Sequence, residues 1–309
     1  MIPILDWSTF TLDPKGFSET LGQICRDHGF FLLKNHPVPA SLISDIFAQS
    51  DAFFALPEAE KKPLSISSNP HNRGWAALGS ESLDEKSGQV DQKQAFNIGL
   101  DFAPNDPEIL RGDPFRGVNL WPDLDGFQDV ALAYFKANLD LGVALHKALA
   151  HNLGLPRDYF DTHFDAPMAI LRLLSYPAAS GTEGEIGAGA HTDYGSITLL
   201  MTDGVSGLQV KPRGQDWVSV PHVPGAFVVN IGDCLMRWTN MIYCSTPHRV
   251  LPPPKPRKSI AFFLDPNPDS VISALPGTGE AKFPPILASD YLRSRLDATY
   301  KGPKDNETT

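Results

Sequence analysis

A chain of 309 residues, 42% hydrophobic and 20% charged, has the balance of a soluble globular protein, one large domain or a domain with a smaller lobe. Its net charge of −10 has the wrong sign for non-specific nucleic-acid binding or an anionic membrane surface, so a small-molecule partner is expected. Three widely spaced cysteines (Cys25, Cys234 and Cys244) suit neither a disulfide framework nor a cysteine-based zinc site. The opening MIPILDWSTF has no basic leader and no run nears the roughly 18 apolar residues of a membrane span, so a cytoplasmic protein is expected.

In chain order, MIPILDW predicts a strand. SETLGQICRDHG predicts a helix with Leu21, Cys25 and His28 on one stripe and Gly29 as its stop. FFLLKNH follows as a buried strand, then SLISDIFAQSDAFFAL as an amphipathic helix. Residues 67–100, rich in Ser, Asn and Gly, read as an ordered loop region centred on NRGWAALGSE. Residues 124–154 carry the longest helical pattern, with Phe127, Val130, Ala131, Tyr134, Phe135 and Leu139 at three- and four-residue spacing and Gly154 at its end. After Pro167 the pattern becomes short β-rich runs: MAILRLLSY, SITLLMT, GLQVK, WVSVP, AFVVNIG, HRVL and KSIAFFLD. Such spacing predicts an antiparallel sandwich or barrel. PILASDYLRSRLDATY closes the chain as a helix. The expected class is α+β, mainly β. An N-terminal region is expected over 1–120, a β core with its long support helix and C-terminal helix over 121–301, and a frayed tail over 302–309.

His191 and Asp193, in GAGAHTDYGSITLL, stand two positions apart at a strand mouth. Alone they mean little: nine histidines give such a pair by chance. Their context adds His248 in STPHRVL, and Arg257 and Ser259 two apart where a strand begins. Residues i and i+2 of a strand share a face, so each pair can enter one cavity. Two imidazoles and one carboxylate on one face of a metal leave three positions open, as in non-haem Fe(II) oxygenases.

With HTDYGSITLL, GLQV, VVNIGD, STPHRV and RKSIAFF in this order, and IPILDWS and HGFFLLKNH at the start, the chain resembles the isopenicillin N synthase-like family of Fe(II)- and 2-oxoglutarate-dependent oxygenases over nearly its whole length. The resemblance implies a double-stranded β-helix (jelly-roll) core with flanking helices and a mixed N-terminal region. It implies iron held by His191, Asp193 and His248, with Arg257, Ser259 and Tyr176 binding the distal carboxylate of 2-oxoglutarate. It further implies oxidative decarboxylation of that cosubstrate with O2 to succinate and CO2, and hydroxylation or desaturation of a small molecule. An isopenicillin N synthase-type oxidase working without 2-oxoglutarate, an ethylene-forming-type enzyme and a silent binding protein share parts of the pattern. The last would lack a ligand residue, and none is missing.

Strand alternation places Arg172, Leu174 and Tyr176 on one face. A buried Arg172 needs an acidic partner, either a protein carboxylate or one on the substrate or on 2-oxoglutarate. Arg73, Trp75 and Glu81, from NRGWAALGSE, are candidates for another wall. Together they suggest a small substrate bearing a carboxylate, with room for a cationic group. Asp233 could support a ligand histidine, but reads better as a turn residue after Gly232. The other histidines (His28, His36, His71, His146, His151, His163 and His222) read as structural.

Overall fold

The computed structural model describes residues 1–68, 70–84 and 89–300; the tail expected at 302–309 lies outside the described residues. Twelve strands build two sheets: β1 (Ile4–Asp6), β2 (Phe30–Lys34), β3 (Gly74–Ala76), β4 (Gln94–Gly99), β5 (Ile170–Tyr176), β6 (Ala188–His191), β7 (Ile197–Thr202), β8 (Leu208–Val210), β9 (Val218–Ser219), β10 (Phe227–Ile231), β11 (His248–Val250) and β12 (Arg257–Leu264). The larger has the order β1-β2-β10-β7-β12-β5-β4-β3 and the smaller β6-β11-β8-β9. Only the β1–β2 pair is parallel among these neighbours. Both sheets contribute side chains to one cleft.

The sequence of β12 shows how that cleft is made. Its period-two alternation turns Arg257, Ser259, Ala261 and Phe263 into the cleft. Ile260, Phe262 and Leu264 point the other way, into the main core. There the long helix Phe127–Asn152 covers the sheet, and Phe135 meets Phe262 edge-on at 5.0 Å. Gly142 permits that approach, since a Cβ at this position would lie 2.6 Å from Leu264 Cδ2. Helices Pro14–Asp27 and Ala40–Ala55 pack on the long helix. Among the described residues no helix is long and apolar enough to cross a membrane.

Three strands depart from expectation. The region 67–100 is not loop throughout: it holds β3 and β4, and β4 pairs with β5 along its whole length. The segment QAFNIG is buried from Ala95 to Gly99, on both faces, so it lacks the polar alternation that announces a strand. The small-residue strand β6 also differs from the expected pattern of β-rich runs. It is held by backbone pairing with β11, extended by Gly187 N–H donating to Val250 O at 2.9 Å. Strands from before and after residue 120 share the larger sheet.

Candidate metal centre and cosubstrate cleft

His191 ends β6 and His248 opens β11, and the two are register partners across the smaller sheet. Asp193 follows two residues after His191, past the end of the strand. It comes to the site through a turn rather than through strand alternation, its carbonyl accepting from Asp233 N–H at 2.7 Å. The Nδ1 of His191 lies 2.7 Å from Gly189 O and that of His248 lies 3.3 Å from Thr246 O. A carbonyl only accepts, so Nδ1 carries the proton and Nε2 keeps its lone pair. Both Nε2 atoms stand 3.6 Å from Asp193 Oδ1. Neighbouring ligands about 2.1 Å from an ion and at right angles stand about 3 Å apart, close to this spacing.

The other carboxylate oxygen, Oδ2, accepts from Thr198 Oγ1 at 2.5 Å and Asn230 Nδ2 at 2.7 Å. Thr198 on β7 and Asn230 on β10 are direct register partners, which sets their side chains together under Asp193. Burial works to raise the Asp193 carboxyl, but the two imidazoles and these hydrogen bonds override it and hold it below the usual carboxylate range. Burial, with His248 alongside, pushes the His191 imidazole down to about 4. Both shifts keep the groups in their metal-binding forms, with neutral imidazole and ionised carboxylate. Among the described residues this trio is the one His, Cys, Asp and Glu group able to hold a metal ion.

Arg257 is not the surface charge that neighbouring Lys255 and Lys258 would suggest. It is 1% exposed and faces the cleft. Its Nη1 donates to Ser259 Oγ at 3.3 Å, and its guanidinium lies 5.0 Å over the ring of Tyr176, its register partner on β5. Its Nε has no hydrogen-bond partner, and among the described residues no carboxylate pairs with it. A buried unpaired guanidinium is costly, by several kcal/mol, and a ligand carboxylate meets its planar fork.

The cleft measures about 1180 Å³, open mouth included. Arg172, Leu174 and Tyr176 line it together, as alternation along β5 predicts. Arg172 finds a protein carboxylate: it pairs with Glu81 and donates to Asn97 Oδ1 at 3.1 Å. Glu81 also meets Lys93 at 3.2 Å, and Lys93 meets Asp91 at 2.5 Å. Burial works to raise the Glu81 carboxyl, but Arg172 and Lys93 override it and hold it at about 2. Two of the expected wall residues do not line the cleft. Arg73 donates to His71 O at 2.9 Å, its guanidinium packed where a Cβ on Gly99 would lie 1.9 Å from Cζ. Trp75 is buried on the adjoining strand, its indole N–H donating to Gln94 Oε1 at 3.1 Å. From NRGWAALGSE the cleft receives Glu81, the third of the expected wall residues, and Asn72.

Residues 2–124 match the family described as non-haem dioxygenase in morphine synthesis N-terminal, and residues 167–266 match the 2OG-Fe(II) oxygenase superfamily. The chain is 36% identical over 316 residues to the 2-oxoglutarate-Fe(II) type oxidoreductase hxnY of Emericella nidulans, covering 96% of this chain and 90% of that protein. This chain belongs to the isopenicillin N synthase-like family of 2-oxoglutarate- and Fe(II)-dependent oxygenases. A full-length Neurospora crassa protein solved with alpha-KG superimposes with a TM-score of 0.86 at 34% identity, covering 96% of each chain. The same protein solved with thymine gives 0.84 at 33% identity, again covering 96% of each. The two facing sheets are the family's double-stranded β-helix. As a 2-oxoglutarate-dependent dioxygenase, the enzyme uses Fe(II), 2-oxoglutarate and O2.

Several cleft residues of this oxygenase escape motif reading. Thr198 and Asn230 sit in apolar runs, SITLLM and VVNIG, where a buried polar side chain calls for a partner. Asp265 follows β12, and Leu292 and Leu296 come from the C-terminal helix Ala288–Tyr300. Asp233 opens the short helix Asp233–Trp238 and accepts from Thr192 Oγ1 at 2.9 Å, and the Nδ1 atoms of His191 and His248 have Gly189 O and Thr246 O as partners rather than Asp233. Among the described residues none of the other seven histidines joins the trio; His146, for one, is fully buried between Gly142 O and Ser196 Oγ.

Proposed function

We propose that His191, Asp193 and His248 hold the iron, that Arg257, Ser259 and Tyr176 seat the distal carboxylate of 2-oxoglutarate, and that the enzyme hydroxylates or desaturates a small polar molecule bound beside them. The observation that carries the reading is the joint placement of three converging free ligand atoms and one buried, unpaired guanidinium in a single cleft. When bound, the iron with its cosubstrate and O2 supplies the oxidant that removes hydrogen from a substrate carbon.

This chain's own residues do the placing. Thr198 and Asn230 fix which Asp193 oxygen is offered to the metal. Arg257 and Ser259 fix the far end of the cosubstrate, and Leu174, Leu208 and Val250 keep that end of the cleft apolar. The wall of Arg172, Glu81 and Lys93, backed by the buried Asp91, is already charge-matched, so an acidic substrate would reach Arg172 only in competition with Glu81. That favours a substrate held by hydrogen bonds, and a thymine-sized ring in a structural relative fits the same scale. A reducing compartment, the cytoplasm, belongs to this reading. It keeps the iron ferrous and suits three cysteines that are all free.

The test is succinate formation by the purified protein with Fe(II), 2-oxoglutarate and O2, first without and then with a panel of small metabolites. Succinate above the no-enzyme rate is expected even without substrate. Asp193→Ala should abolish it while leaving the far-UV spectrum and thermal midpoint intact. Full turnover in that variant refutes the metal assignment.

A further inference from the structure

Asp265 follows the last residue of β12 and continues the inward-facing series of Arg257, Ser259, Ala261 and Phe263. It is 6% exposed and lines the cleft near the metal ligands and the C-terminal helix. Gly195, two residues after Asp193, lies against it: a Cβ there would stand 2.9 Å from Asp265 Oδ1. Burial, with the Asp193 charge nearby, pushes its carboxyl up to about 7.

The other charges of the cleft are answered. Glu81 faces Arg172 and Lys93, and Lys93 faces Asp91. Asp193 faces the two imidazoles, and Arg257 fits the cosubstrate. Asp265 alone among them has neither an ion-pair partner nor a hydrogen bond among the described residues. A buried carboxyl without a donor is unfavourable and is retained where a ligand supplies one.

We propose that Asp265 is a substrate-recognition residue that accepts a hydrogen bond from an N–H group of the substrate, a ring N–H or a protonated amine, and so orients the substrate beside the metal ligands. This deepens the proposed function and rests on it. With iron and 2-oxoglutarate bound their opposite charges cancel, and Asp265 remains the acidic group of the cleft with no donor facing it, which favours a nitrogen donor over an acidic ligand.

The experiment measures succinate formed by the Fe(II)- and 2-oxoglutarate-loaded enzyme with compounds paired by shape, one member bearing an N–H and one not. Thymine is set against 1,3-dimethylthymine, and piperidine-type amines against their cyclohexane analogues. Stimulation above the substrate-free rate is expected only from N–H-bearing members. Asp265→Ala should lower kcat/KM for them by about tenfold or more, the scale of a lost hydrogen bond to a buried carboxylate. Asp265→Asn keeps the shape and an accepting oxygen, which covers the case in which the alanine variant fails to fold. It also separates the two sources: a neutral ring N–H loses only a few-fold, whereas a protonated amine loses as much as in the alanine variant. Equal turnover of an N–H-free member, a kcat/KM in Asp265→Ala close to wild type, or no stimulation by any nitrogenous compound overturns the assignment. Absence of substrate-free succinate in the wild type instead refutes the underlying oxygenase reading, and this inference with it.

Discussion

Removing the hydrogen bonds behind Asp193 should weaken iron binding without touching a ligand. Thr198→Val deletes the hydroxyl that stands 2.5 Å from Asp193 Oδ2, and Asn230→Leu deletes the amide at 2.7 Å. The Asp193 side chain is only 5% exposed, so water has little room to replace either donor. A hydrogen bond to a charged group contributes about 1.5–3 kcal/mol, so each variant should raise the Fe(II) dissociation constant about 10–100-fold. Thr198 and Asn230 pair across β7 and β10, so each donor survives loss of the other and the double variant should bind more weakly than either single one. The assay is anaerobic Fe(II) titration in competition with a chromophoric chelator, with thermal midpoints recorded on the metal-free variants. Dissociation constants within about twofold of wild type in both folded single variants would refute the argument that these bonds select the ligand oxygen.

Arg257→Lys should raise the 2-oxoglutarate concentration needed for half-maximal succinate formation strongly, because a point charge cannot replace the fork. Ser259→Ala should do so about fivefold, the equivalent of roughly 1 kcal/mol for one neutral hydrogen bond, and the reverse order of effects would sink the assignment. Glu81 is held at about 2 in the folded protein against an ordinary value of 4.5. With its folded value depressed, its stabilising contribution is full above pH 4.5 and is lost as pH falls toward 2, on the order of 3 kcal/mol. Urea unfolding of wild type and Glu81→Gln from pH 6 downward should therefore show a stability difference that shrinks across that window. A difference constant with pH would show that Glu81 is not held as an ion.

What the sequence disclosed follows from what is local in it. The trio His191, Asp193 and His248 and the pair Arg257 and Ser259 stand in short motifs, and the structure brings all five into one cleft with Tyr176. The support of Asp193 was less legible, because Thr198 and Asn230 meet only through the pairing of β7 with β10, a contact between distant segments. Arg172 was legible as a cleft residue by alternation, but its partner Glu81 lies 91 positions away. The same distance problem misplaced Arg73 and Trp75: the segment from Asn72 to Glu81 has no periodicity that says which side chains turn inward, and Gly99 opens a slot for Arg73 on the far side. The strand QAFNIG was hidden by being buried on both faces, and AGAH by having nothing β-branched to announce it.

The backbone of Gly189 joins two parts of the enzyme that would otherwise change separately. Its N–H donates to Asp91 Oδ1 at 2.8 Å, and its carbonyl receives His191 Nδ1 at 2.7 Å. Asp91 in turn anchors Lys93, which anchors Glu81 and so Arg172. A lineage retooling this cleft for a different substrate cannot exchange one charge of that network freely, because the imbalance passes along it to the backbone that orients the His191 imidazole. Charge-reversing changes there should be accepted in compensating pairs, while the apolar lining at Leu174, Leu208 and Phe263 is free to drift in size. New substrates of this scaffold should thus be reached first through shape and only later through charge.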